Sequence, residues 1–144
     1  MNSLYVVGNF LSSKHKYFPT NKPEHFWLKL EKPLLLTGGS WKVCLCEIQF
    51  QNVLVEAGQS VPTHYQIELA TCEGLYIDGS ATNALRVIPY RPTSHQIFTK
   101  PFYMSLQSAY VDICEIEIKL VDATHTIIRP LTGAVITCTL HFKR

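Results

Sequence analysis

Long apolar runs are missing from this chain. No hydrophobic stretch approaches the ~20 residues that a bilayer-spanning helix needs, and the best candidates are broken by Lys, Glu or Pro. Charge is scarce too: 17% of the 144 residues are charged against 47% hydrophobic. That balance is dry for a free monomer. It suits either a protein that buries extra surface in an assembly or a β-rich domain with a thick core. With 13 basic and 11 acidic residues the net charge is only +2, which gives no reason to expect a specific nucleic-acid partner. The signatures of common chemistry are also missing. There is no Gly-x-x-x-x-Gly-Lys-Ser/Thr phosphate loop, no Gly-x-Ser-x-Gly nucleophile elbow and no paired Cys-x-x-Cys spacing. No Asn-x-Ser/Thr sequon occurs and no cleavable leader is visible at Met1–Gly8, so an intracellular product without a membrane span is expected.

Helical periodicity is absent over any useful length, whereas period-two alternation recurs. The organising stretch is Gly38-Gly39-Ser40-Trp41-Lys42-Val43-Cys44-Leu45-Cys46-Glu47-Ile48-Gln49-Phe50. Simple alternation sends Trp41, Val43 and Leu45 one way and Cys44, Cys46, Ile48 and Phe50 the other. Both faces are then largely apolar, which predicts an interior strand covered on both sides. Further strands are expected at 4–7, 25–30, 65–69, 85–90, 102–106, within 109–121 and at 134–142, with a small hairpin around Asp78-Gly79-Ser80. In the longest alternation Ile116, Ile118 and Leu120 share a face with Cys114, and Glu115, Glu117 and Lys119 share the other. Residues 34–36 read as a linker, and 10–23 and 52–62 as long loops. The expectation is a single all-β domain over 1–144, a jelly-roll (Greek-key) β-sandwich of about eight strands.

The chain has five cysteines, Cys44, Cys46, Cys72, Cys114 and Cys138, and six histidines. An odd thiol count in strand-like runs predicts reduced, buried cysteines. His15, His25 or His64 could complete a zinc site with Cys44 and Cys46. Core cysteines are the favoured reading, because nothing repeats the ligand spacing; neither a metal nor a cofactor is expected. Glu47 stands among apolar neighbours and is expected to be a buried structural acid, paired with Arg86 or a lysine. The carboxylates of Glu115 and Glu117 stand about 7 Å apart on one strand face, a solvated face with Lys119 beside it. In the loop Lys14-His15-Lys16-Tyr17-Phe18, bases and aromatics interleave. A partner-contact patch and a solvated loop that tucks its aromatics inward both fit.

The order SLYVVGNF, KPEHFWLKLEKPLLLTGGSWKVCLCEIQFQNV, LRVIPY, FYMSL and VDICEIEIKLVDATHTIIRPLTGAVITCTLHFKR resembles the small capsid-type proteins of polinton-like elements and their adintovirus and adomavirus relatives. Two blocks carry the resemblance, Phe26 to Ile48 and Ile113 to Phe142. The chain departs from the pattern at Asp122-Ala123-Thr124-His125, which lacks a glycine after the aspartate, and in a short 53–63 region. The resemblance implies a minor capsid (penton) protein, a single jelly roll that forms pentamers at icosahedral vertices. The major capsid protein would be its partner, with a fibre or cement protein as a further contact. It would reside in the virion capsid after synthesis inside the host cell, with the nucleus as one assembly site. It implies no catalytic residue. Tyr17, Phe18, Tyr90, Phe102 and Tyr103, in or beside loops, are the candidate interface anchors. The alternatives are a ligand- or receptor-binding sandwich of lectin or cytokine type, a cement protein, and an enzyme using Glu47, Cys72 or His141.

Overall fold

A computed structural model describes residues 3–14, 16–35, 40–55, 58, 63–72, 76–77, 79–106, 112–122, 124 and 126–144, apart from the side chains of 34, 35, 76, 77, 80 and 112–114. The Gly38-Gly39 turn, His15, most of the 56–62 loop, the start of the 109–121 run and the Cys114 side chain lie outside that set. The strands are β1 (Ser3–Gly8), β2 (His25–Leu35), β3 (Lys42–Gln51), β4 (His64–Leu69), β5 (Tyr76–Ile77), β6 (Ser80–Ala81), β7 (Ala84–Pro89), β8 (Ser94–Ile97), β9 (Met104–Ser105), β10 (Asp112–Val121) and β11 (Val135–Lys143). No helix occurs among the described residues, so none is long and apolar enough to cross a membrane.

Two antiparallel sheets hold the longer strands. One runs β1-β11-β3-β8, with β9 continuing the β8 position along β3; the other runs β2-β10-β4-β7. The short β5 and β6 pair with each other. Phe50 and Ile136 from the first sheet and Phe26, Tyr65, Ile67 and Ile118 from the second meet in one buried cluster. The rings of Phe50 and Tyr65 touch edge to face with centroids 5.8 Å apart. Outward from the second sheet the face is ionic: Lys29 pairs with Glu115 at 3.5 Å, and Glu117 with His25 at 2.9 Å and Lys119 at 3.4 Å. That agrees with the solvated Glu115/Glu117 face read from the alternation.

The expectation for β3 is corrected. Glu47 faces Thr139 and Leu45 faces Leu140, so Cys46 has no partner on β11. This β-bulge shifts the alternation by one residue. Trp41, Val43 and Leu45 before it and Ile48 and Phe50 after it therefore all enter the same core. The strand is not apolar on two faces; one apolar face changes phase halfway. Cys44, Cys72 and Cys138 are buried thiols, as expected, and Cys46 is half-buried; of these, Cys72 and Cys138 belong to the hydrophobic cluster between the sheets.

Two other boundaries move. The strand β2 runs on to Leu35 through the segment expected as a linker. The strand β8 went unread because Ser94-His95-Gln96-Ile97 has no apolar alternation; its one large apolar side chain, Ile97, is 66% exposed. Substituting a fully buried ring should cost far more than trimming that edge. Phe50→Ala is expected to lower unfolding stability by about 3–5 kcal/mol, and Ile97→Ala to stay within roughly 0.5 kcal/mol. Chemical denaturation of the two variants checks the contrast.

Candidate functional site

Among the described residues each sheet ends in a strand paired on one side only, β1 in one and β2 in the other, and the two lie on the same side of the molecule. Between them runs a groove of about 720 Å³, lined by residues 4–7 of β1, 29–33 of β2 and Trp41. Its opening has a local cause. The ladder between β2 and β10 passes from Ile113 opposite Leu34 to Glu115 opposite Lys29, so residues 30–33 of β2 have no partner in it. Pro33 has no N–H to donate there. Inside the groove Trp41 is 6% exposed, and its indole N–H has no hydrogen-bond partner among the described residues. On the rim Tyr5 and Val7 of the β1 edge are 65% and 64% exposed.

The opposite side is closed by β7 and β8, the other ends of the two sheets. There the Arg86 guanidinium lies 3.8 Å from the Phe98 ring centre and 4.5 Å from that of Phe102, and donates to the Lys100 carbonyl at 3.1 Å. Val87, Ile97 and Phe102 are exposed on this side. Large apolar side chains thus reach solvent on both lateral edges of the sandwich.

A third feature sits on the outer face of the first sheet. On β11 the buried and half-buried residues alternate, and His141 is on the outer set, directly opposite Cys44. The Cys44 and Cys46 sulfurs are 3.5 Å apart. One ligand-capable atom from each of Cys44, Cys46 and His141 lies within 4.8 Å of the others. Tyr5 stacks on the His141 ring at 4.3 Å, and the Tyr103 hydroxyl hydrogen-bonds His141 Nδ1 at 2.7 Å. The Lys143 ammonium stands 3.9 Å from the Tyr103 ring centre. Burial foremost, then the hydrogen bond with Cys44, pushes the Cys46 thiol up to about 12. Burial and then Cys44 push the Tyr103 phenol up to about 12. Cys46 is therefore a neutral thiol at neutral pH, which argues against a ready nucleophile.

The structure divides the residues singled out from the sequence. Tyr17 and Phe18 lie beside β2, with Lys29 6.0 Å from the Tyr17 ring centre and Phe18 6.2 Å from Trp27. Phe102 and Tyr103 are neighbours near the β7/β8 side, Phe102 exposed and Tyr103 turned to His141. Tyr90 is committed internally: its ring abuts buried Tyr65 at 5.1 Å and its hydroxyl donates to the Val53 carbonyl at 3.2 Å. The five aromatics do not form one patch. Glu47 is not a buried acid either. Its side chain is 39% exposed and its partner is His95, across on β8, while Arg86 is held by Phe98 and Phe102. His25 and His64 bond Glu117 and Thr63 instead of joining the cysteines. The histidine that does join them, His141, is 95 positions beyond Cys46 by number (141 − 46). No local spacing could have flagged it; only the β3–β11 register does.

No protein-family model matches the chain, and no curated protein matches it.

Burial first, and the Lys143 charge second, lower the His141 pKa below its ordinary 6.5. The unfolded chain then takes up this proton first as pH falls, so the His141 contribution to stability is present above 6.5 and lost on acidification. NMR titration of the His141 ring protons should give a midpoint below 6.5; a midpoint above it contradicts the half-buried placement beside Lys143.

Proposed function

We infer that this protein is a structural shell subunit, a minor capsid (penton) protein that assembles head to tail into a closed ring. The observation that carries the reading is the pair of unlike lateral edges. One presents the free β1 strand, Tyr5, Val7 and the groove; the other presents Val87, Ile97 and Phe102. A contact between unlike surfaces propagates around an axis, and closes into a ring where the rotation allows. An unpaired edge strand is a ready site for main-chain pairing with a neighbour. The dry composition points the same way, since exposed apolar side chains on both edges become interface core.

The strand order supports a jelly roll as the fold. Successive long strands alternate between the sheets except at the step from β4 to β7. The orders β1-β11-β3-β8 and β2-β10-β4-β7 are those of two interleaved Greek keys. Together with the resemblance of the 26–48 and 113–142 blocks to capsid-type proteins, this favours a pentamer at an icosahedral vertex, with the major capsid protein as its outer partner.

Light scattering behind size exclusion should report five copies. Val7→Lys and Ile97→Lys should each disperse the ring, with circular dichroism unchanged. Mixed, the two variants should recover a dimer, since each retains the edge the other lacks. A protein that stays monomeric at high concentration contradicts the reading. So does an oligomer that Ile97→Lys leaves intact while Val7→Lys abolishes it, because that pattern belongs to a contact between like edges. Saturable binding to one glycan by a monomer would replace it with the lectin-type alternative.

A further inference from the structure

We propose that Cys44, Cys46 and His141 form a binding site for a thiophilic d10 cation, Zn2+, on the outer face of the β3–β11 pair. The donor set comes first. Two cysteine sulfurs and one imidazole are borderline-to-soft ligands, which favours zinc over calcium or magnesium. Geometry comes second. Tetrahedral zinc, with sulfur at ~2.3 Å and nitrogen at ~2.0 Å, holds its donors roughly 3.5–3.8 Å apart. The sulfurs are already 3.5 Å apart and all three donors lie within 4.8 Å of one another. Closing onto an ion needs side-chain movement of about an ångström and no change of register.

The bulge makes this arrangement. Side chains two residues apart on a regular strand stand ~7 Å apart. Cys46 is the extra residue of the bulge, and Cys44 is the register partner of His141. Cys44 is as fully buried as Cys72 and Cys138 but, unlike them, it lies outside the hydrophobic cluster between the sheets, and Cys46 beside it is half-buried. The surroundings fit a held ligand. Tyr5 stacks along the His141 ring and Tyr103 bonds its Nδ1, the kind of polar partner that fixes a ligating imidazole. Three protein donors leave a fourth position, which a water can take. An ion there ties β3 to β11 by side chains and pins the segment carrying Tyr103 against the sheet.

The test uses the full chain, reduced and freed of metal by chelator, titrated with Co2+ as a spectroscopic stand-in for Zn2+. The expected result is one ion per chain, with thiolate-to-cobalt charge transfer and the strong visible bands of tetrahedral cobalt, bleached on adding zinc. Cys46→Ser and His141→Gln, both at half-buried positions, should each weaken uptake by ~100-fold or more, and Tyr103→Phe by about tenfold. Cys72→Ala should leave uptake unchanged if circular dichroism reports a native fold; Cys138→Ala serves the same purpose if it does not. Three results overturn the proposal: no tetrahedral cobalt spectrum, uptake that survives both Cys46→Ser and His141→Gln, or a Cys44–Cys46 disulfide that persists in reductant and takes up no ion.

Discussion

The pairing of β3 with β11, and the one residue by which it slips, is the constraint on which most of the molecule rests. A strand's side chains alternate strictly, so an inserted residue reverses every position beyond it. Here the insertion is Cys46. Without it, Ile48 and Phe50 would face outward whenever Val43 and Leu45 face inward. With it, all four enter the core and Phe50 reaches Tyr65 of the opposing sheet. The same slip turns Glu47 outward next to Cys46, while Cys44, ahead of it, faces outward either way; His141 and His95 meet them there.

The consequence is a molecule with differentiated surfaces. The outer face of the second sheet is ionic, its pairs held by partly exposed side chains, and such pairs contribute ~0–1 kcal/mol each. The outer face of the first sheet carries the cysteine, histidine and tyrosine cluster. The lateral edges carry exposed apolar residues, Tyr5 and Val7 on one side and Val87, Ile97 and Phe102 on the other. Edge strands left this apolar invite association unless a neighbour covers them. A closed ring satisfies both edges at once, whereas a contact between like edges leaves the other side open.

Much of the architecture was legible in the sequence. Clean alternation in 65–69, 116–120 and 134–142 identifies β4, β10 and β11 and the faces they turn to the core, because polar and apolar residues take turns along each. Three things were not legible. A bulge leaves no mark when residues on both sides of it are apolar, so β3 read as a strand covered twice. An edge strand with no apolar face, β8, read as loop. Partners across the sheet are invisible: charge alone offers Glu47 either Arg86 or a lysine, although His95 faces it from β8, and the histidines set against the favoured core reading of the cysteines, His15, His25 and His64, omit His141, which lies opposite Cys44. Of the aromatics, Phe102 sits exposed on an edge as an anchor should, while Tyr90 is taken up by Tyr65 and Val53.

The register of β3 against β11 is the most direct object of test, since the core, the outer cluster and the orientation of the edges all follow from it. Cross-strand nuclear Overhauser effects read it residue by residue. The account expects backbone contacts pairing Leu45 with Leu140 and Glu47 with Thr139, with Cys46 skipped, and side-chain contacts between Phe50 and Tyr65. An unbroken ladder that sets Cys46 opposite Thr139 and Glu47 opposite Cys138 would contradict it.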